Sequence, residues 1–135
     1  MADQIPDYPV GWIFPDAKLT TVEYAADITA GDPLRITGAN DDGIPKVQKQ
    51  SGQTAARYVA LYDGVSGLLT DALISGTVKA KSVKKWGAGG IVSAHDGGFE
   101  VDASATTSDP CGFGYKAVAA DGDFTLFYFH GVRQR

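Results

Sequence analysis

The phrase AGDPLRITGANDDGIPKV at residues 30–47 returns, shortened, as AGGIVSAHDGGFEV at residues 88–101. Each copy starts with Ala-Gly and runs through apolar residues into a turn rich in Gly and Asp. It then comes back through Gly-x-x-x-Val or Gly-x-x-Val. Both continue past the hairpin into a further strand that ends in a turn, RYVALYDG after the first and GYKAVAADGD after the second. The repeating unit is therefore three strands, over roughly 27–64 and 86–123, joined by the Lys-rich strand TVKAK. Two similar three-stranded units predict an all-β fold, a small β-barrel or β-sandwich. Nothing reactive recurs at matching positions, so the repeat is a scaffold feature.

The rest of the chain agrees with one compact β domain. At 135 residues it is long enough to bury a core without staples, and 44% hydrophobic with 21% charged residues is a globular balance. Seventeen glycines suit many short strands joined by tight turns. TTVEY at 20–24, DPLRITG, RYVALYDG and FTLFYF read as strands, and ANDDG and DGD as turns, because Asn, Asp and Gly tolerate or cap turn backbone. GTVKAKSV alternates most clearly, with Val78, Ala80 and Ser82 on one face and Thr77, Lys79 and Lys81 on the other. Residues 65–75 are the one place where a helical turn is expected.

Two segments stand apart. Residues 1–19 hold Pro6, Pro9 and Pro15, which rule out a continuous helix, together with Tyr8, Trp12, Ile13 and Phe14, which are too apolar for a free tail. This predicts an extended N-terminal arm ahead of a single β domain at 20–135, with its aromatics buried on its own domain or on a neighbouring molecule. The last strand is apolar on both faces. Phe124, Leu126 and Tyr128 are expected in the core, leaving Phe127 and Phe129 for another layer of the chain or for a sister subunit.

The chain is poor in catalytic constellations, and no enzymatic activity is expected. Cys111, the single cysteine, sits between small residues as a packed hydrophobe would. His95 and His130 have no triad context, Asp41–Asp42 and Asp121–Asp123 lie in turns, and there is no phosphate-cradling glycine loop. No metal or other cofactor is expected. Net charge is −4, unevenly spread. Residues 1–45 have eight acids and two bases, 46–85 two acids and seven bases, and 86–135 six acids and three bases. That pattern suits complementary surfaces on neighbouring copies or a solvated face. The cluster Lys79, Lys81, Lys84, Lys85 and Trp86 lacks arginines and has acidic flanks, so neither nucleic acid nor membrane is expected as a partner. The start of the chain has neither the basic residues nor the apolar run of a secretory signal, which suggests folding in a cytoplasm.

With these readings in place, AGDPLRITG, GIPKV, ARYVALYDG and ALISGTVKAK resemble the core phrases of lambda-type phage head-decoration proteins. The later part, from WGAGGIVSAHDGG to DGDFTLFYFHG, is similar to a second group of small phage capsid-decoration proteins. The resemblance covers about residues 28–131. It implies a β-tulip-like body and a homotrimer on the outer face of an icosahedral phage head, cementing it by binding the major capsid protein. It also implies a protein made in the host cytoplasm that ends in the virion. On this basis Tyr8, Pro9, Trp12, Ile13, Phe14 and Pro15 are candidate capsid-binding residues, and Phe127 and Phe129 candidates for the subunit interface. A tail-tube or head–tail connector protein, and a soluble β-barrel that binds a small molecule, remain as alternatives.

Overall fold

The computed structural model describes residues 8–52, 54–83, 90–95, 97–101, 110–114 and 117–131, with Val101 described by its backbone alone. Nine strands form among them: β1 (Lys18–Tyr24), β2 (Pro33–Ala39), β3 (Pro45–Lys49), β4 (Tyr58–Ala60), β5 (Leu69–Lys81), β6 (Gly90–His95), β7 (Gly98–Val101), β8 (Pro110–Gly114) and β9 (Phe124–Phe129). The first strand thus begins at Lys18, and no helix forms at 65–75. Residues from Leu69 onward join TVKAK in one long strand, because Leu69–Ser75 pairs with β1 along its length and with β4 at Ala72 and Leu73.

The first half of β5 completes a closed barrel in the order β1-β3-β2-β4-β5, with β5 returning to β1. The β1–β3 pair is parallel (Glu23↔Lys46, Tyr24↔Val47) and the others are antiparallel. Alternation puts Val22, Tyr24, Leu34, Val47, Ala60 and Ala72 inside, all fully buried. Asn40 makes the β2–β3 turn: its Oδ1 accepts the backbone N–H of Asp42 (2.8 Å) and of Ile44 (3.0 Å).

The second half of β5 begins another closure, in the order β5-β9-β8-β6-β7. A parallel bridge, Ser82↔Phe99, returns β7 to β5, and the Val83 N–H donates to the Phe99 carbonyl at 2.8 Å. The registers of the two halves match pair for pair. Thr20↔Ala72 recurs as Val78↔Phe127, Leu34↔Tyr58 as Val92↔Gly112, Ile36↔Val47 as Ala94↔Phe99, and Val59↔Leu73 as Phe113↔Tyr128. The repeating unit is therefore five strands, not three, and β5 belongs to both units. It ends one barrel and starts the next.

Gly76 is the joint. Its φ of +134° is open to glycine and rare for other residues, and a Cβ there would press on Ala17 and Asp16. A second tie is Gln50, fully buried at the end of β3. Its amide donates to the carbonyls of Gly52 and Thr54 (both 2.9 Å), while its Oε1 accepts the Gly97 N–H in the β6–β7 turn (2.9 Å).

The last strand keeps Leu126 buried as expected but otherwise has the opposite phase. Phe127 and Phe129 are fully buried, in ring contact with Phe99 at 4.7 and 6.1 Å, whereas Phe124 is exposed. They fill the second barrel of their own chain and leave no side-chain surface for a sister subunit. With both faces apolar, alternation did not distinguish inside from outside. Barrel closure does, because it places residues paired with Val78 and Gly76 inward.

Candidate functional site

The described part of the arm, residues 8–17, lies on its own barrel. The Pro9 carbonyl accepts the Trp12 N–H (3.1 Å), closing a turn around Val10 and Gly11. Gly11, at φ +91°, rests on the Leu61 carbonyl oxygen, where a Cβ would collide. Tyr8 packs between Trp12 (ring centroids 5.6 Å apart) and Phe14 (4.9 Å, edge-on), a geometry favourable to aromatic pairs.

Polar contacts hold both ends of the segment. The Lys79 ammonium donates to the Tyr8 carbonyl (2.8 Å). The Asp16 carboxylate accepts the Thr77 N–H (3.0 and 3.1 Å) and its hydroxyl (2.9 Å) beside the Gly76 joint. Lys79 therefore clamps the arm, a role its place in the basic cluster did not suggest. Lys81 is exposed, and Lys84, Lys85 and Trp86 lie outside the described residues.

This docking leaves an apolar surface open. Trp12 is 48% and Ile13 43% exposed, Tyr8 and Phe14 are partly buried, and Pro9 and Pro15 are exposed. Trp12 and Ile13 join Leu61 and Tyr62 in lining a groove of about 450 Å³. Of the candidate arm residues, Pro9, Trp12 and Ile13 line the groove, Tyr8 and Phe14 pack beside them, Pro15 is not part of it, and Leu61 and Tyr62 join from the loop after β4. No local signal marks those two, since they reach the arm only through the fold.

Hydrogen bonds tie the groove floor to the barrel. The Tyr24 hydroxyl donates to the Tyr62 carbonyl (2.6 Å), and burial pushes this phenol up to about 12. The Asp63 carboxylate accepts the Ala30 N–H (2.7 Å), and that of Asp32 accepts the Thr29 N–H (2.9 Å). Burial raises the Asp32 carboxyl above its ordinary range, opposed by that hydrogen bond and by Lys49 at 3.8 Å. Elsewhere, burial pushes the Cys111 thiol up to about 12, so it is a packed thiol in the core, not a thiolate. His95 faces Glu100 at 3.8 Å. Among the described residues no three His, Cys, Asp or Glu side chains gather as metal ligands.

No protein-family profile and no curated protein matches the chain. Among solved structures, the fold is similar to that of the head fiber gp8.5 N base of bacteriophage phi29. The TM-score is 0.66 over 88% of this chain and 99% of that one, at 16% identity. The two share a fold across nearly their whole lengths.

Proposed function

We propose that this chain is a structural protein of a phage head, one that decorates and cements the outer capsid surface by binding the major capsid protein as a trimer. The observation that carries this reading is the fold shared with a phage head fiber base over nearly both chains. The arm groove supports the capsid-binding part. It offers Trp12, Ile13 and Tyr62 at the surface of a closed barrel, and partly exposed aromatics on a preorganised scaffold make good anchors because little entropy is lost on docking. Three such grooves on one trimer would need only modest affinity each. Among the described residues the core of each barrel is packed with buried side chains, and a mouth of about 350 Å³ lined by Thr20, Ile36 and Ile74 opens on the first.

Co-sedimentation with purified phage heads tests the proposal. Trp12→Ala with Ile13→Ser is expected to weaken head binding at least tenfold while the melting temperature changes little, because both side chains already meet solvent. Undiminished binding would reject the arm groove as the capsid contact. Failure of the wild-type chain to bind heads from any candidate host phage would reject the decoration role.

A further inference from the structure

Because the two barrels share one register, each surface of one has a counterpart on the other. Two surfaces are covered in one barrel and bare in the other. On the first barrel, the outward row Pro33, Val59 and Leu73 across β2, β4 and β5 is buried. Its counterpart on the second, Ile91, Phe113 and Tyr128 across β6, β8 and β9, is open, with Ile91 57% and Phe113 47% exposed. The Phe113 and Tyr128 rings lie 5.4 Å apart and make a continuous apolar ridge with Ile91.

The barrel mouths show the reverse. Val78, Ala94 and Phe129 at the mouth of the second barrel are fully buried. Their counterparts Thr20, Ile36 and Ile74 line an open mouth of about 350 Å³ on the first, with Ile36 41% and Ile74 38% exposed. The two covered surfaces belong to a single hydrophobic cluster, which holds Val59 and Leu73 together with Val78, Ala94 and Phe129. Within the chain, the outer row of one barrel and the mouth of the other thus share one core.

We propose that the two bare surfaces meet between copies of this chain. The ridge Ile91–Phe113–Tyr128 of one copy seats on the mouth Thr20–Ile36–Ile74 of the next, repeating between molecules the shared core formed within one. A second copy is the occupant because the chain itself carries both halves of a joint whose internal counterpart is already formed. The ridge is apolar, and the mouth sets the exposed Ile36 and Ile74 among Thr20, Arg57, Tyr58 and His130. Arg57 at the rim of the mouth faces the incoming rings and gives the joint a cation–π contact. The joint is heterologous, using a different patch on each side, and such patches close into a ring or run on as a filament. A three-membered ring must be built this way, so the inference rests on the trimer part of the proposed function and names its interface, independently of capsid binding.

Sedimentation of the full chain tests it. Phe113→Glu and Ile74→Glu each place a charge in one half of the joint at a solvent-reaching position. Each variant alone is expected to fall from the wild-type three-chain mass to a single chain, with an unchanged circular dichroism spectrum. Mixed in equal amounts, they are expected to form a two-chain species, since the mixture has one sound ridge and one sound mouth. Ile91→Lys and Ile36→Lys serve as the second pair should either first variant misfold. A variant that keeps the wild-type mass, or a mixture that stays monomeric, overturns the joint while leaving a trimer standing. A wild-type chain that is monomeric at every concentration overturns the joint and the trimer together, and head binding remains separately measurable.

Discussion

The two barrels share strand order and register yet hold together by different means. The first is closed by a parallel pair of residues on each strand and is filled by small and aliphatic side chains around Tyr24, whose hydroxyl is tied to the Tyr62 carbonyl. The second is closed by one parallel bridge and filled by Phe99, Phe127 and Phe129. Where the first barrel has Ala72 the second has Phe127, and where the first has Val47 the second has Phe99. One backbone plan thus accepts two core solutions, one leaning on ladder closure and a half-buried hydrogen bond, the other on aromatic burial. Register is a property of the plan, and packing is local to each barrel.

The comparison breaks most visibly at Phe127. Phe127→Ala removes a fully buried ring from the weaker closure and is expected to cost about 3–5 kcal/mol in urea unfolding, with a single transition because β5 serves both barrels. Two separate transitions would mean that the barrels unfold independently. The converse swap, Ala72→Phe, forces the second barrel's solution into the first and is expected to cost about 1–3 kcal/mol by overpacking. Stabilisation instead would show that the first barrel has room for a ring.

Tyr24→Phe removes the hydroxyl tie and is expected to cost about 0.5–1.5 kcal/mol by thermal melting, with the Trp12 groove loosened in fluorescence. The smallest effect concerns pH. Because burial raises the Asp32 carboxyl, its protonated form is favoured in the folded chain. The stability it contributes is complete below the ordinary carboxylate range and is lost as pH rises through its raised folded value. Asp32→Asn keeps an acceptor for the Thr29 N–H and removes that titration. The wild type is therefore expected to lose stability relative to the variant as pH climbs through this window. A difference that is flat with pH would place Asp32 in a solvated setting.

Much of this fold was legible in the letters. The repeated hairpins stand where AGDPLRITG and AGGIVSAHDGG suggest, and the buried phase of Val78, Ala80 and Ser82 follows from alternation. FTLFYF was read as a strand, but that it and Leu69–Ser75 each complete a unit was hidden for two physical reasons. Leu69–Ser75 and Phe124–Phe129 share a place in the register with scarcely a letter in common, since a paired strand needs only apolar alternation. Ser75-Gly76 also reads as a break, whereas Gly76 at positive φ is a bend inside a continuous strand. Of the site, the aromatic arm was visible as surface too apolar to stay free. Leu61, Tyr62, Lys79 and Asp16 were not, because their meeting with the arm spans much of the chain and leaves no mark in local composition.

The shared strand also sets how the molecule carries load. A pull on the arm reaches β5 through Asp16 at Thr77, next to the bend where one barrel passes into the other. Hydrogen bonds of the antiparallel ladders run across the strands, so tension directed along β5 loads many of them together and does not peel them one by one. To one side the ladder to β1 and β4 resists, and to the other the ladder to β9. With no linker between the barrels to stretch first, the chain behaves as a stiff rivet whose shank is a single strand.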